Sequence, residues 1–208
     1  DTSAIESVVD AGSVAGSGGA VGVSIAIGVA TAANRINSEI AAYISAADVA
    51  ADGDIAVTAE NDTSITATSS AASFSAGFGA VGVAVSGAGA EASNSIDTDT
   101  LAYVEAGSYL HSGLDVDITA SGTSQIVASV ISGSAAVAGG GGAFGVALGV
   151  SVASNRIGAS DEAAQVLAFV TGSTLHVGRD LTVSASADNG IDAMVASFAA
   201  ALTVGGIA

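Results

Sequence analysis

Ala20-Val21-Gly22-Val23 returns as Ala80-Val81-Gly82-Val83 and as Ala143-Phe144-Gly145-Val146, at spacings of 60 and 63 residues. Ala42-Tyr43-Ile44 returns as Ala102-Tyr103-Val104 and as Ala168-Phe169-Val170. Self-similarity at a near-fixed period marks an array whose units bury apolar surface against copies of themselves. The 208 residues are therefore read as one continuous repeat body: a partial copy at 1–16, copies at roughly 17–76, 77–139 and 140–205, and the start of another at 206–208. Asp1-Thr2-Ser3 reads like mid-repeat Asp62-Thr63-Ser64, and Gly205-Gly206-Ile207-Ala208 like Gly141-Gly142-Ala143. Both ends thus fall inside repeats, and the expectation is a piece of a longer repeat protein.

The second half of each unit alternates. Ile55-Ala56-Val57-Thr58-Ala59, Val116-Asp117-Ile118-Thr119-Ala120 and Leu181-Thr182-Val183-Ser184-Ala185 have the period of two of a strand with one buried face. Ile44, Ala46, Val49 and Ala51 are expected on the same apolar side, with a turn at Asp52-Gly53. Between Ala71 and Ala90 both parities are small or apolar, the pattern of a strand covered on both faces. A coil of about 60 residues has a contour of about 200 Å, too wide for an open ring whose sheets pack about 10 Å apart. The expected fold is all-β: a wide parallel β-solenoid with about 60–66 residues per coil, flattened or multilayered, with a Gly/Ala-rich inner strand. Helical spacing competes over Ala32–Ala47 and a capped turn at Ser160–Ala164; strand is the favoured reading overall, with a short helix or an insertion in the first and third copies as the alternative.

Composition limits function. Twenty acidic residues face 3 Arg and no Lys, for a net charge of −17. Such a surface argues against nucleic acid and anionic membranes, both of which bind through cations, and keeps soluble particles apart. Cysteine is absent, which removes disulfides and thiolate metal sites. Proline is absent too, so every residue can join a backbone ladder. The long stretch without charge between Asp117 and Arg156 is not read as a membrane helix, because Gly139 to Gly142 interrupt it and β-branched alternation surrounds it.

Stacking converts each position into a column along the fibre. Asn34, Asn94 and Asn155 form one set, expected either to hydrogen-bond along the axis as a structural ladder or to occupy left-handed turn positions. Asp54, Asp115 and Asp180 form another. Carboxylates about 5 Å apart repel, so this column is either a solvated acidic edge that opposes lateral aggregation or a calcium ladder. Calcium is the one cofactor the pattern admits. His111 and His176 match in phase, with Ala50 in the first copy, and are expected at exposed turns. Gly77-Phe78-Gly79-Ala80-Val81-Gly82 fits the dinucleotide fingerprint in letters only, since no helix follows it. No nucleophile, base and acid fall into a recognisable catalytic setting, so no enzyme activity is expected.

The segments Ala20-Val21-Gly22-Val23, Ala42-Tyr43-Ile44 and Val49 through Gly53-Asp54-Ile55-Ala56-Val57-Thr58-Ala59 resemble repeats of very large bacterial filamentous adhesins, including leukotoxin-like filamentous adhesins and autotransporter-type surface proteins. The resemblance runs through nearly the whole chain in three copies. It implies a secreted or cell-surface β-solenoid stalk, without catalytic residues, whose partners are further copies or flanking repeats end to end. The alternative is a repeat module binding ions, glycans or ice on one flat face.

Overall fold

The computed structural model describes residues 1–158 and 164–205. They form nine strands and no helix: β1 (Thr2–Ser45), β2 (Asp48–Ala51), β3 (Ile55–Glu105), β4 (Tyr109–Ser112), β5 (Val116–Gly139), β6 (Gly142–Ile157), β7 (Val166–Val170), β8 (Thr174–Val177) and β9 (Leu181–Val204). Every pairing is parallel. The main sheet runs β1-β3-β5-β9, with β6 and β7 also on β3, and β2-β4-β8 form a narrow second sheet. Each residue pairs with its counterpart one coil on, 60 residues away at Asn34–Asn94, 61 at Asn94–Asn155, 66 at Asp99–Gln165 and 65 at Asp115–Asp180. This is the parallel β-solenoid that the period implied.

The coil is a flat blade. One arm runs from Ile55 to Phe78, the chain reverses at Gly79-Ala80, and the second arm runs back from Val81 to Glu105 before β4 closes the wide end. Each arm is about 80 Å long. Hydroxyl bonds across the gap show that the arms face each other: Ser73 Oγ to Ser86 Oγ at 2.6 Å, Ser24 Oγ to Ser75 Oγ at 3.0 Å and Ser69 Oγ to the Ala30 carbonyl at 3.1 Å.

Side-chain size sets the thickness. At the wide end Ile55, Val57, Val104, Leu110, Val116 and Ile118 fill the space between arms and end strands. Midway, Ile36, Ile65, Ile96 and Ile126 fill a second cluster with alanines. At the tip only Ala84, Ala136 and Ala138 remain, with the buried serines. Isoleucine columns run along the axis: Ile5 pairs Ile65, which pairs Ile126, which pairs Ile191, and Ile36 pairs Ile96, which pairs Ile157. Between the two larger clusters lies a polar belt in which Asn61 and Thr100 are buried and their side chains find no protein partner.

Several expectations change. The strand from Ala71 to Ala90 is covered on one face only. Ala71, Ser73, Ser86 and Ala88 point inward, whereas Phe74, Phe78 and Val81 face solvent. Two arms suffice to flatten the coil, so no third layer covers that side. From Ala32 to Ser45 the chain is strand, the favoured reading, and the competing helix does not form, because Asn34 and Ile36 take their places in axial columns. Of the turn at Ser160–Ala164, residues 160–163 lie outside the described residues. The step in spacing from 61 to 66 nevertheless places five extra residues between Ile157 and Val166.

Two registers also differ. Val81 pairs Gly142 and Gly82 pairs Ala143, so the third copy sits two residues away from the match of Ala80 with Ala143. An even slip leaves inside and outside unchanged, and the pairing of Ile96 with Ile157 decides it. At the start, Thr2 pairs Asp62, not Thr63, which stacks Ile5 on Ile65.

Ala46 is no core residue. It is exposed at a turn with φ of 51°, as is Ala106 at 58°, and the corresponding turn of the third copy carries Gly172 at 55°. A left-handed backbone costs alanine about 1–2 kcal/mol, partly offset by the greater flexibility of an unfolded glycine. Ala106→Gly is therefore expected to raise stability by about 0.5 kcal/mol, read as a higher urea midpoint at unchanged slope.

Candidate functional site

A rod built of identical steps has its chemistry in its columns. The Asn column lies inside the blade. Asn34 Nδ2 donates to Asn94 Oδ1 at 2.8 Å, and Asn94 Nδ2 donates to Asn155 Oδ1 at 2.8 Å. None of the three has a positive φ, so they are strand residues rather than turn residues. An amide side chain carries both a donor and an acceptor, which makes Asn able to repeat the same bond at every coil. Asn94, at 2% exposure, is the buried middle of the chain of bonds.

Outside the second arm, Tyr43, Tyr103 and Phe169 stack with ring centroids 5.2 and 5.0 Å apart and interplanar angles of 9° and 1°. Partial burial in this stack, together with the nearby Glu105 charge, raises the Tyr103 phenol above its ordinary value. Tyr103 has a neighbouring ring on each face, so within the column it offers its edge to solvent.

The Asp column forms at the wide end. Asp115 N–H donates to Asp54 Oδ1 at 3.0 Å, and Asp180 N–H donates to Asp115 Oδ1 at 3.0 Å. Arg179 Nε also donates to Asp115 Oδ1 at 3.1 Å, and its second guanidinium nitrogen pairs with Oδ2. The Asp180 N–H, and then the guanidinium, hold the Asp115 carboxyl below the usual range, against the pull of partial burial. Asp115 in turn pushes Arg179 up. Backbone donors and one arginine thus offset the repulsion within this column. Among the described residues no group of three or more His, Asp or Glu side chains is placed to hold a metal ion. The three aspartates do share one column, in which Asp54 and Asp115 each accept the backbone N–H of the aspartate one coil on.

Two consequences are measurable. Excess chelator is expected to leave the melting temperature unchanged; a fall that added calcium reverses would restore the cation reading. The depressed Asp115 carboxyl contributes stability above the unfolded Asp value, about 3.9, and that contribution disappears as pH falls through the lower folded value. Asp115→Asn is expected to lower the melting temperature slightly at neutral pH, with the difference from the parent vanishing in strong acid.

His111 and His176 pair in register on β4 and β8, with ring centroids 6.3 Å apart, on exposed strand positions rather than turns. Tyr109 lies 5.2 Å from the His176 ring. The glycines of the dinucleotide-like run form the reversal of the blade, with strand on both sides, so a helix N-terminus for a pyrophosphate is missing there. Sequence reasoning passed over Arg179. Its signal was present: it stands directly before Asp180, where the first two copies have Gly53 and Leu114.

Outside the tip, large apolar side chains face solvent on both arms. No charged residue occurs in 11–30, 63–90 or 118–155, so the charge is confined to the wide half of each coil and to the outer side of the mid-arm. No protein-family model, curated protein or solved structure matches the chain.

Proposed function

We propose that the chain is a segment of a secreted or cell-surface filament, a stiff adhesin-type stalk that works mechanically and without catalysis. The unbroken register supports this reading above all: Thr2 to Ser45 pairs in step with Asp62 to Glu105 along nearly its full length. Pulling along the axis loads a whole ladder of parallel hydrogen bonds together, while columns of Ile and Asn keep each coil in place. The first and last coils each offer an unpaired strand edge of the same shape, to which further copies or flanking repeats add end to end. The acidic wide half keeps neighbouring stalks apart in solution.

A tandem duplication of the chain tests the reading. It is expected to give a rod that lengthens by about 4.8 Å per coil at constant cross-section, seen by electron microscopy and as an axial fibre reflection. Separate beads would overturn it. Surface labelling of the producing cells is expected to find the chain outside; recovery from the cytoplasm alone would overturn the location.

A further inference from the structure

Buried polar groups in folded chains are bonded as a rule, and the belt between the two larger hydrophobic clusters departs from it. Asn61 is 2% exposed and Thr100 0%. Among the described residues nothing bonds to Asn61 Nδ2, Asn61 Oδ1 or Thr100 Oγ1. Ser38 Oγ, on the same arm as Thr100 and one coil earlier, is buried and likewise without a partner. The next inward position after Asn61 shows the contrast, since Thr63 Oγ1 lies 3.0 Å from Ser124 Oγ.

Asn61 and Thr100 belong to columns that face each other across the blade. Asn61 pairs Gly122 one coil on, and Thr100 pairs Val166. A Cβ on Gly122 would lie 2.9 Å from Val166 Cγ2 and 3.7 Å from Thr100 Oγ1, so the two columns stand opposite. They also change together. In the third coil a glycine faces a valine, whose methyl group fills the space. In the second an amide faces a hydroxyl, and the two do not bond to each other. The belt has room beside them. A cavity of about 180 Å³ reaches Gly122, directly beyond Asn61, with Thr98, Ser124 and Asn189 in its lining. Polar walls, room and about three bonding partners are what a buried water requires.

We propose that this belt is a binding site for internal water, held by the Asn61 amide together with the Thr100 and Ser38 hydroxyls. The amide selects the ligand. Nδ2 only donates and Oδ1 only accepts, and both lack a partner. An anion would serve the first and a cation the second, whereas water serves both. The facing inward positions, Ile40, Thr98 and Val166, carry no charge to hold an ion. Asp1, which continues the Asn61 column into the first coil, is exposed, and its carboxylate accepts from Ser3 Oγ. Water here joins the two arms where their own side chains do not meet, and it forms a wet seam between two dry clusters. The proposal goes beyond the filament reading and stands on the interior of the blade alone.

Oxygen-17 magnetic relaxation dispersion of the whole chain tests it, since it counts water molecules held for longer than the protein takes to tumble. The parent chain is expected to hold at least one. Thr100→Val keeps the side-chain shape and removes the hydroxyl; Asn61→Val removes the amide. Each is expected to lower the amplitude from long-lived water. Thr100→Val is also expected to lower the melting temperature by about 2–4 °C, the shift for one lost hydrogen bond in a chain of this size. In a dry belt the same substitution removes an unpaired hydroxyl and raises the melting temperature, which would overturn the proposal. A parent without long-lived water would overturn it as well, as would an amplitude that neither variant changes. Melting that depends on the choice of sodium, potassium or chloride at fixed ionic strength, and loses that dependence in Asn61→Val, would place an ion in the belt and overturn water as the ligand.

Discussion

Gly82→Val is expected to destabilise the chain by about 3 kcal/mol or more, the cost of forcing a side chain into a packed gap without room to relax. At the tip the arms approach until backbone meets backbone. A Cβ on Gly82 would lie 2.7 Å from the Gly77 carbonyl oxygen and closer still to that of Gly139. The first coil has the same constraint, since a Cβ on Gly22 would come within 2.9 Å of the Phe78 backbone. Atoms of a main chain bound into ladders on both sides cannot give way as a flexible side chain would. Urea melts should show a lower midpoint, and hydrogen exchange should show the loss centred on residues 71–90. In the third coil the run Gly139–Gly142 rebuilds the reversal and Ala143 takes the Gly82 position. Ala143→Val is therefore the control that should cost less. A Gly82→Val chain that melts with its parent would mean that the arms stand further apart than described.

Asn94→Ala is expected to cost about 2–3 kcal/mol. It removes two side-chain hydrogen bonds, each worth about 1 kcal/mol net, and leaves partner groups on Asn34 and Asn155 unsatisfied. Asn34→Ala at the end of the column should cost less, because it removes one bond and its site is only partly buried. Asn94→Asp separates shape from hydrogen bonding. An ionised carboxylate still accepts from Asn34 but cannot donate to Asn155, and its burial raises its pKa. A raised carboxyl makes the folded state bind the proton more tightly than the unfolded one. Stability should therefore be lowest at neutral pH and recover as pH falls through the raised value, where the acid regains a donor. Equal losses for Asn34→Ala and Asn94→Ala would show that the column is not a connected chain of bonds.

Both predictions follow from one division of labour within the blade. The wide half is held by Ile, Val and Leu, while the tip is held by closeness, with Gly, Ala and Ser bringing the backbones together. Closeness carries a polar consequence. The tip interior is narrow and still contains hydroxyls, and the Ser24–Ser75, Ser73–Ser86 and Ser132–Ser151 pairs satisfy one another across it. On the outer face, Phe78 lies over Gly139 and Phe198 over Gly133 in adjacent coils, so aromatic rings cover strand glycines that would otherwise expose backbone.

Much of this was legible in the residues. Alternation at Ile55–Ala59 gave the inward face, which is buried at Ile55, Val57 and Ala59. The recurrence of Asn at 34, 94 and 155 marked residues that share a column, because only stacking makes a lone polar side chain useful at each turn of a repeat. The third-copy register was harder to read. A run of Ala, Gly and Val matches itself almost equally well at 61 or 63, and a shift of two preserves the pleat, so local pattern has no means of choosing. The ion pair of Arg179 with Asp115 was hidden for a different reason: it joins residues 64 apart that become neighbours only once the coil length is known.

The sequence by itself determined that the chain repeats, that its strands are parallel and stacked, and which side chains form columns, since period and parity follow directly from residue order. Only the tertiary structure decided that the coil closes as two arms rather than three layers. Both parities of the Gly-rich run are apolar, so hydrophobicity alone left its two faces equivalent. Which one is buried was settled by the distance between facing backbones, and that distance depends on residues half a coil apart in the chain.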